Sequence, residues 1–452
     1  MGSVKAPGCL LGTLLLGGVV LGGGGTTNPG NEYLLLLLIA VALPISTAVA
    51  DLSAVFRRDP VGSTFLLLVV MFPLVQLVPL PVPVWQHLPG RNDSVQVLAA
   101  LGDSQRWMSF TQFPGRTLAV TLSLAPALLV ALLVASMSRS NRMLGLAIIL
   151  CATVLSAGVG FLQFAAGPDR VVSMYDYVHR GFAIGFFANR NAQADLIAIA
   201  LVVLVVMVER RPQAIATWSG RFLVAGTMLI LVLAAVLTGS RAGMAMLVVP
   251  ALMAVWLGRA ILTRWSTAGL VVGVGVAVVS LALAFSHTSL SRVGNRFTPD
   301  DNRQRIWQDS VDVAARYQPV GSGMGNFVPL QQVSERLEVI GPTIANRAHN
   351  DYLEVWIEGG LPAVLLLVAM VVFVGLRIAG ALQSRDPDRR TAAIFAAGVF
   401  LIFAFHSTVD YPLRTMTHLV VAAFAFACLL LPPEQDSAAA VHRELGRSAS
   451  AR

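Results

Sequence analysis

Charge is what this sequence has least of. Only 12% of its 452 residues are Asp, Glu, Lys or Arg, about half the density of a soluble globular domain. So thin a complement cannot coat a surface against water, which excludes an ordinary soluble globule. Lysine is almost missing: of 32 basic residues all but Lys5 are Arg. Cysteine is scarce, and Cys9, Cys151 and Cys428 each fall inside an apolar run. Neither disulfides nor a thiolate metal site is expected from that placement. No internal repeat is found. The net charge of +8 is not the footprint of a nucleic-acid binder, because the basic residues stand in short clusters between apolar runs. That distribution encodes membrane topology.

What the chain has in abundance is apolar sequence. It is 56% hydrophobic, with a mean hydropathy of +0.72. A helix needs roughly 20 apolar residues to cross a bilayer. Runs of about that length lie near 8–25, 33–50, 63–83, 117–137, 143–165, 192–208, 221–238, 243–258, 266–285, 361–379, 392–409 and 415–431. The sequence therefore predicts an all-α polytopic membrane protein with about twelve transmembrane helices. One large loop, 286–360, separates the ninth from the tenth. The first run is rich in glycine, which lowers its helix propensity. It shows no clear cleavage site and leads directly into a second run, so no cleaved signal peptide is expected.

Cytoplasmic loops carry the excess of Lys and Arg close to the spans. With the N-terminus inside, the inner connections hold Arg57 and Arg58, Arg139 and Arg142, Arg210 and Arg211, Arg259 and Arg264, and Arg385, Arg389 and Arg390. The outer connections 26–32, 239–242 and 410–414 hold none, one and one. Both termini are thus expected in the cytoplasm of a multi-pass membrane protein. The longer segments 84–116, 166–190 and 286–360 then fall outside. Residues 304–317 read as an amphipathic helix with Trp307, Val311 and Ala314 on one face. The chain divides into N-terminal transmembrane helices over 1–170, a core over 171–432 that includes the loop, and a tail over 433–452 whose composition reads as disordered.

Ionisable groups in or beside the spans on the outer side are functional candidates, because a membrane makes them costly. Arg241 lies in Thr238-Gly239-Ser240-Arg241-Ala242-Gly243, a tight turn between two apolar runs. Its guanidinium is permanently charged and grips two phosphate oxygens at once; a snorkelling helix-end Arg is the plainer alternative. Arg190 lies in Gly185-Phe186-Phe187-Ala188-Asn189-Arg190-Asn191, at a helix start suited to an anion. In the plainer reading Asn191 only caps that helix. His349 opens His349-Asn350-Asp351-Tyr352-Leu353-Glu354. Asn350 or Asp351 can cap a short helix there, Gly359 and Gly360 end it, and Pro362 opens the next span. His349 would then sit at a fixed helix entry, where a neutral imidazole can act as a base. His406 and Asp410, four apart, share a helix face, either as a carboxylate-oriented imidazole or as a structural hydrogen bond. Two such ligands do not make a metal site. Gly321-Ser322-Gly323-Met324-Gly325-Asn326-Phe327 can form a backbone nest for phosphate. With no preceding strand and no Gly-Lys-Ser/Thr, it is neither a P-loop nor a dinucleotide fingerprint.

In order and spacing, these motifs resemble the O-antigen ligase and polymerase family. The resemblance rests on 185–191 and 238–243, Arg303 four before Trp307, Pro319 with Gly321-Ser322-Gly323 and Phe327, 349–353 through Glu358-Gly359-Gly360-Leu361-Pro362, and His406 to Asp410. It covers about residues 180–415; the first half matches only in its pattern of spans. It implies transfer of a glycan from an undecaprenyl-diphosphate carrier to an acceptor sugar at the periplasmic face, metal-independent, inverting and without a cofactor. The acceptor would be lipid A–core for a ligase or a growing O-antigen or exopolysaccharide chain for a polymerase. The loop His of the family falls on His349 as catalytic residue. Membrane-proximal arginines that hold the diphosphate fall on Arg190 and Arg241, and the Arg before the Trp on Arg303. Asn189 and Asn191 flank Arg190 as further substrate contacts, and Asn350, Asp351, His406 and Asp410 support the site.

The competing reading is a transporter of a small anion such as bicarbonate. A transporter would place its site near the bilayer midplane, at broken helices in two related halves, whereas the charged groups here cluster at one face. The topology is directly testable. Reporter fusions after residues 138, 212 and 330 are expected to read cytoplasm, cytoplasm and periplasm. A cytoplasmic signal at 330 would also put His349 on the wrong side of the membrane.

Overall fold

The computed structural model describes residues 5–25, 30–169, 172–258, 302–335 and 344–431. The predicted run 266–285, the tail 433–452, and the parts of the long loop at 286–301 and 336–343 lie outside the described residues. In chain order the helices that matter here are α1 (Lys5–Leu21), α2 (Gly30–Val49), α3 (Pro60–Val75), α4 (Pro114–Ser123), α5 (Ala125–Ser136), α6 (Arg139–Ala166), α7 (Arg190–Arg210), α8 (Trp218–Leu237), α9 (Arg241–Met246), α10 (Val248–Gly258), α11 (Asn302–Tyr317), α12 (Phe327–Ser334), α13 (Asp351–Leu382), α14 (Pro387–His406) and α15 (Met416–Leu429). Among the described residues, seven helices or continuous helix pairs are long and apolar enough to cross a membrane, and four shorter apolar ones accompany them. This is a multi-pass helical membrane protein. Every predicted run within the described residues coincides with one of these helices.

Boundaries moved where backbone chemistry demands it. The run 63–83 becomes helix only to Val75, because Pro79 has no N–H to donate to Val75 O and disfavours helical backbone at Val78. Its remainder includes a two-residue strand β1 (Pro79–Leu80), paired antiparallel with β2 (Met108–Ser109), and the start of a short helix over Val82–Trp85. The first run stops at Leu21, ahead of Gly22 to Gly25. The run 117–137 is broken at Leu124 ahead of Pro126. The tenth run starts earlier than its apolar stretch, at Asp351, and kinks at Gly360, whose φ of 59° is left-handed.

One hydrophobic core joins the two ends of the sequence. Leu11, Leu15 and Val19 of α1, Val130 and Leu133 of α5, Ile199 and Val203 of α7, Phe395 and Val399 of α14, and Val420 and Phe424 of α15 are all buried in it. Arg142 is drawn into this core rather than lying in a basic loop. Its guanidinium donates to the carbonyls of Val134 and Ala135 at the end of α5, each at 3.1 Å, and of Leu430 beyond α15 at 3.1 Å. Helix ends leave such carbonyls without partners, and a buried cation satisfies them.

The described parts of the long loop fold as a small unit. Val313, Ala314, Phe327, Leu330, Ala348 and Ile357 form its own apolar cluster. Of the predicted face, Ala314 is buried and Trp307 half-buried, but Val311 is exposed, so the buried face of α11 is turned to run through Ser310, Val313 and Ala314. The 321–327 turn is clamped between this unit and the 76–117 segment. Met324 N–H donates to Gln76 Oε1 at 2.8 Å, the Asn326 amide to Thr111 Oγ1 at 2.8 Å, and Leu361 N–H to Pro319 O at 2.8 Å.

Gly360 is the pivot of that clamp. A Cβ there would lie 2.4 Å from Pro319 O, on a left-handed backbone. Gly360→Ala is expected to cost at least about 1–2 kcal/mol, read as a lower thermal unfolding temperature in detergent. Gly375→Ala is the contrast, since nothing lies within 4 Å of its Cβ position. It should be neutral or stabilising by about 0.5–1 kcal/mol.

Candidate active site

Helices α7, α9, α13 and α15 begin, and α8 and α14 end, at the same end of the bundle, because successive spans alternate in direction. This brings the residues around 190, 240, 350, 410 and 415 together.

His349 is the one non-glycine residue with positive φ (50°) among the described residues. For a non-glycine side chain this backbone region is sparsely populated and persists only where surroundings impose it. The surroundings here are explicit. Ala348 N–H donates to Glu354 Oε1 at 3.1 Å, and its carbonyl accepts from Trp307 Nε1 at 2.8 Å. Asn350 caps α13 through Leu353 N–H at 3.0 Å, its side-chain amide reaching Thr408 O at 3.2 Å. Asp351 N–H donates to Ser407 O at 3.0 Å. The chain is fixed on both sides of His349 while its side chain stays 24% exposed.

The imidazole meets Asp410. His349 Nδ1 lies 3.2 Å from Asp410 Oδ1, and Tyr411 packs edge-on at 5.0 Å between ring centres. A carboxylate only accepts hydrogen bonds, so Nδ1 carries the proton and Nε2 is left as the basic nitrogen. Asp410 is buried. Burial alone would raise its pKa, but His349, His406 and Arg303 together hold the carboxyl well below the usual range. The same carboxylate takes the Asn191 amide on Oδ2, with an Arg303 nitrogen 3.9 Å away. Asn189 caps α7 by accepting from Asn191 N–H at 2.9 Å and donates to Tyr411 Oη at 3.2 Å.

Arg190 is the first residue of α7, its guanidinium 4.5 Å above the Phe182 ring. It lies against the 238–241 turn: a Cβ on Gly239 would be 3.8 Å from Arg190 Nη1. That turn has Gly239 at φ 59° and Ser240 capping α9 through Gly243 N–H at 3.0 Å. Arg241, the next residue, is exposed.

Three sequence readings change. The cap of α7 is Asn189, not Asn191, whose side chain is committed to Asp410. His406 and Asp410 do share a side, but His406 Nε2 is 3.8 Å from Asp410 Oδ2, too long for a hydrogen bond. His406 instead pairs through Nδ1 with buried Asp195 at 2.5 Å, and Asp410 serves His349. The glycine-rich turn is not a phosphate nest, because its N–H groups are taken. Those of Gly321, Ser322 and Gly323 donate to Tyr317 O, Ile357 O and Glu358 O, at 2.8, 3.0 and 2.8 Å.

Sequence reasoning missed the largest charge cluster. Arg414 reaches Asp351 Oδ1 at 3.3 Å, Glu354 Oε2 at 3.0 Å and Glu358 Oε2 at 3.0 Å. Burial opposes its charge, yet the three carboxylates push its pKa upward. Arg347 adds a second cation 3.8 Å from Glu354. The signal was present: acidic residues at 351, 354 and 358 recur at helical spacing on one face, and Asp195 is an ionisable residue inside an apolar run. Among the described residues no three His, Cys, Asp or Glu are arranged to hold a metal ion.

These features define a multi-span helical membrane protein with a charged, strained site at one end of its bundle. Residues 226–368 match the model of the family described as O-antigen ligase, so the family resemblance holds over that segment. The segment contains Arg241, Arg303, Trp307 and His349; Arg190 and Asp410 flank it. No curated protein matches the chain. The match points to glycan transfer of the O-antigen-ligase kind, on lipid-linked polysaccharide substrates. It lends the transporter reading no support.

Removing one member of a buried ion cluster strands the others and costs about 3–5 kcal/mol. Arg414→Met is therefore expected to abolish accumulation of folded protein, measured by fluorescence-detected gel filtration. Glu358→Gln keeps the shape and should be milder.

Proposed function

We propose that this chain is an envelope glycosyltransferase that moves a glycan from an undecaprenyl-diphosphate carrier onto an acceptor sugar at the periplasmic face of the inner membrane. The observation that supports this reading most is the His349–Asp410 pair: an accessible imidazole on a strained, fixed backbone, oriented by a buried carboxylate. In this reading the acceptor hydroxyl gives its proton to His349 Nε2 as its oxygen attacks the anomeric carbon. The bond from that carbon to the diphosphate oxygen breaks on the opposite side. The electron pair leaves with undecaprenyl diphosphate, and the configuration inverts.

The division of labour follows from charge. A diphosphate leaving group is already anionic, so it needs fixed cations rather than a proton donor. Arg190 and Arg241 fill that role at the membrane-facing starts of α7 and α9, with Asn189 and Asn191 setting the geometry between them and Asp410. Arg303, on the loop unit, faces Asp410 at 3.9 Å with a third of its side chain exposed, available to a sugar or diphosphate. Asp410 is a positioning residue that fixes the tautomer and stabilises the imidazolium formed in the reaction. No step asks for a metal. Lipid A–core and a growing polysaccharide chain are both acceptors this chemistry accommodates.

A positioned base contributes about 10²–10⁴-fold, so His349→Ala is expected to lower transfer by about that factor with donor binding retained. Asp410→Asn should lower kcat, leave donor KM nearly unchanged and shift the pH profile. The assay is transfer from purified undecaprenyl-diphosphate glycan, run with chelator. Wild-type rates from His349→Ala would overturn the base role, and loss of wild-type activity in chelator would overturn the metal-free mechanism.

The arginines separate binding from anchoring. Lys is a point charge and cannot make the two-pronged phosphate contact. Arg190→Lys and Arg241→Lys should therefore accumulate normally yet fail to restore transfer. A wild-type product level from Arg241→Lys would mark it as a helix-end anchor.

A further inference from the structure

At the end of the bundle opposite the site, a cavity of about 310 Å³ opens between α6, α13, α14 and the end of α15. Three arginines from three helices line it: Arg142, Arg377 and Arg389. Its one acidic wall residue, Asp388, is engaged by Arg210. Arg377 is held by Asp59 at 2.5 Å, so its position is fixed. Arg142 is fixed by the carbonyls described above. Arg389 is different. It is exposed and makes no hydrogen bond or ion pair among the described residues. The other walls are apolar, from Met143, Leu376, Leu429 and Leu430. Leu376 continues outward as a row of exposed apolar side chains on α13, Val372, Val368 and Leu365, at helical spacing.

A cationic pocket that empties onto an exposed apolar stripe has the shape of an amphiphile. We propose that this cavity binds the phosphate headgroup of an anionic phospholipid, with an acyl chain lying along the Leu365–Leu376 face of α13. Guanidinium groups suit phosphate because they donate in a planar fork. Basic pockets between membrane helices recognise such headgroups. A free phosphate ion would use the same arginines but not the stripe, and this separates the two sources.

The site lies far from His349 and does not depend on the reading of that site. Two substitutions test it without touching the core. Arg389→Gln removes the unengaged cation. Gly380→Leu fills the cavity sterically, since nothing lies within 4 Å of a Cβ at Gly380. The measurement is native mass spectrometry of the full chain in detergent, titrated with phosphatidylglycerol, phosphatidylcholine or inorganic phosphate. Wild type should retain phosphatidylglycerol over phosphatidylcholine, and inorganic phosphate should not displace it. Arg389→Gln should weaken retention about fivefold, and Gly380→Leu should abolish the preference while its thermal transition stays at the wild-type value. Undiminished phosphatidylglycerol retention by both variants would overturn the proposal. Displacement by millimolar inorganic phosphate would overturn the lipid assignment in favour of a soluble anion.

Discussion

A carboxylate withdrawn from water must find a cation or an N–H donor, or give up its charge. Five carboxylates at one end of this bundle are buried under that constraint: Asp195, Asp351, Glu354, Glu358 and Asp410. Each is held by a partner from a distant part of the chain. Asp195 takes His406, Asp410 takes His349 and Asn191, and the α13 triad takes Arg414. The geometry of the site is the solution to this pairing problem. The strained backbone at His349 follows from it, because Glu354 both binds Arg414 and accepts the N–H of Ala348, the residue before the histidine.

The two ends of the bundle handle arginine differently. At the far end Arg142 and Arg377 are bound within the structure, to carbonyls and to Asp59. At the site end Arg414 is likewise internal, whereas Arg241 is exposed and Arg303 is a third exposed. The residue type alone does not reveal which role applies. What separates them is depth: Arg142 is withdrawn from solvent, whereas Arg303 keeps a third of its side chain exposed while it faces Asp410.

Much of the fold could be read directly from apolar run length, since a spanning helix is specified locally. The Asn350 cap, the Gly360 break and the Ser240 turn were equally local, and they formed as their side chains dictate. The pairings across the bundle were not legible. That His406 binds Asp195, 211 positions away, instead of its own-helix neighbour Asp410 depends on how α7 and α14 are rotated against each other. Helical periodicity offers only Asp410 and is silent about a partner on another helix. The glycine-rich turn misled for a related reason. Positive-φ glycines at 321, 323 and 325 suit an anion nest and equally suit close packing, of Gly321 against 358–360, of Gly323 against Thr111 and of Gly325 against Arg116 and Val120. Neighbours far along the sequence decide between them.

The 61-residue separation between His349 and Asp410 has a consequence for biogenesis. When the ribosome has delivered α13, its acidic residues have Arg347 beside Glu354 but still lack Arg414, and the histidine lacks its carboxylate. Asp410 and Arg414 emerge only after α14, in the connection to α15. Until that last hairpin arrives, the start of α13 carries more negative than positive charge, and the imidazole lacks the carboxylate that fixes its tautomer. The organisation of the site is thus deferred to the connection between α14 and α15: a chain truncated before residue 410 lacks both Asp410 and Arg414, and with them the partners of His349 and of the acidic face of α13.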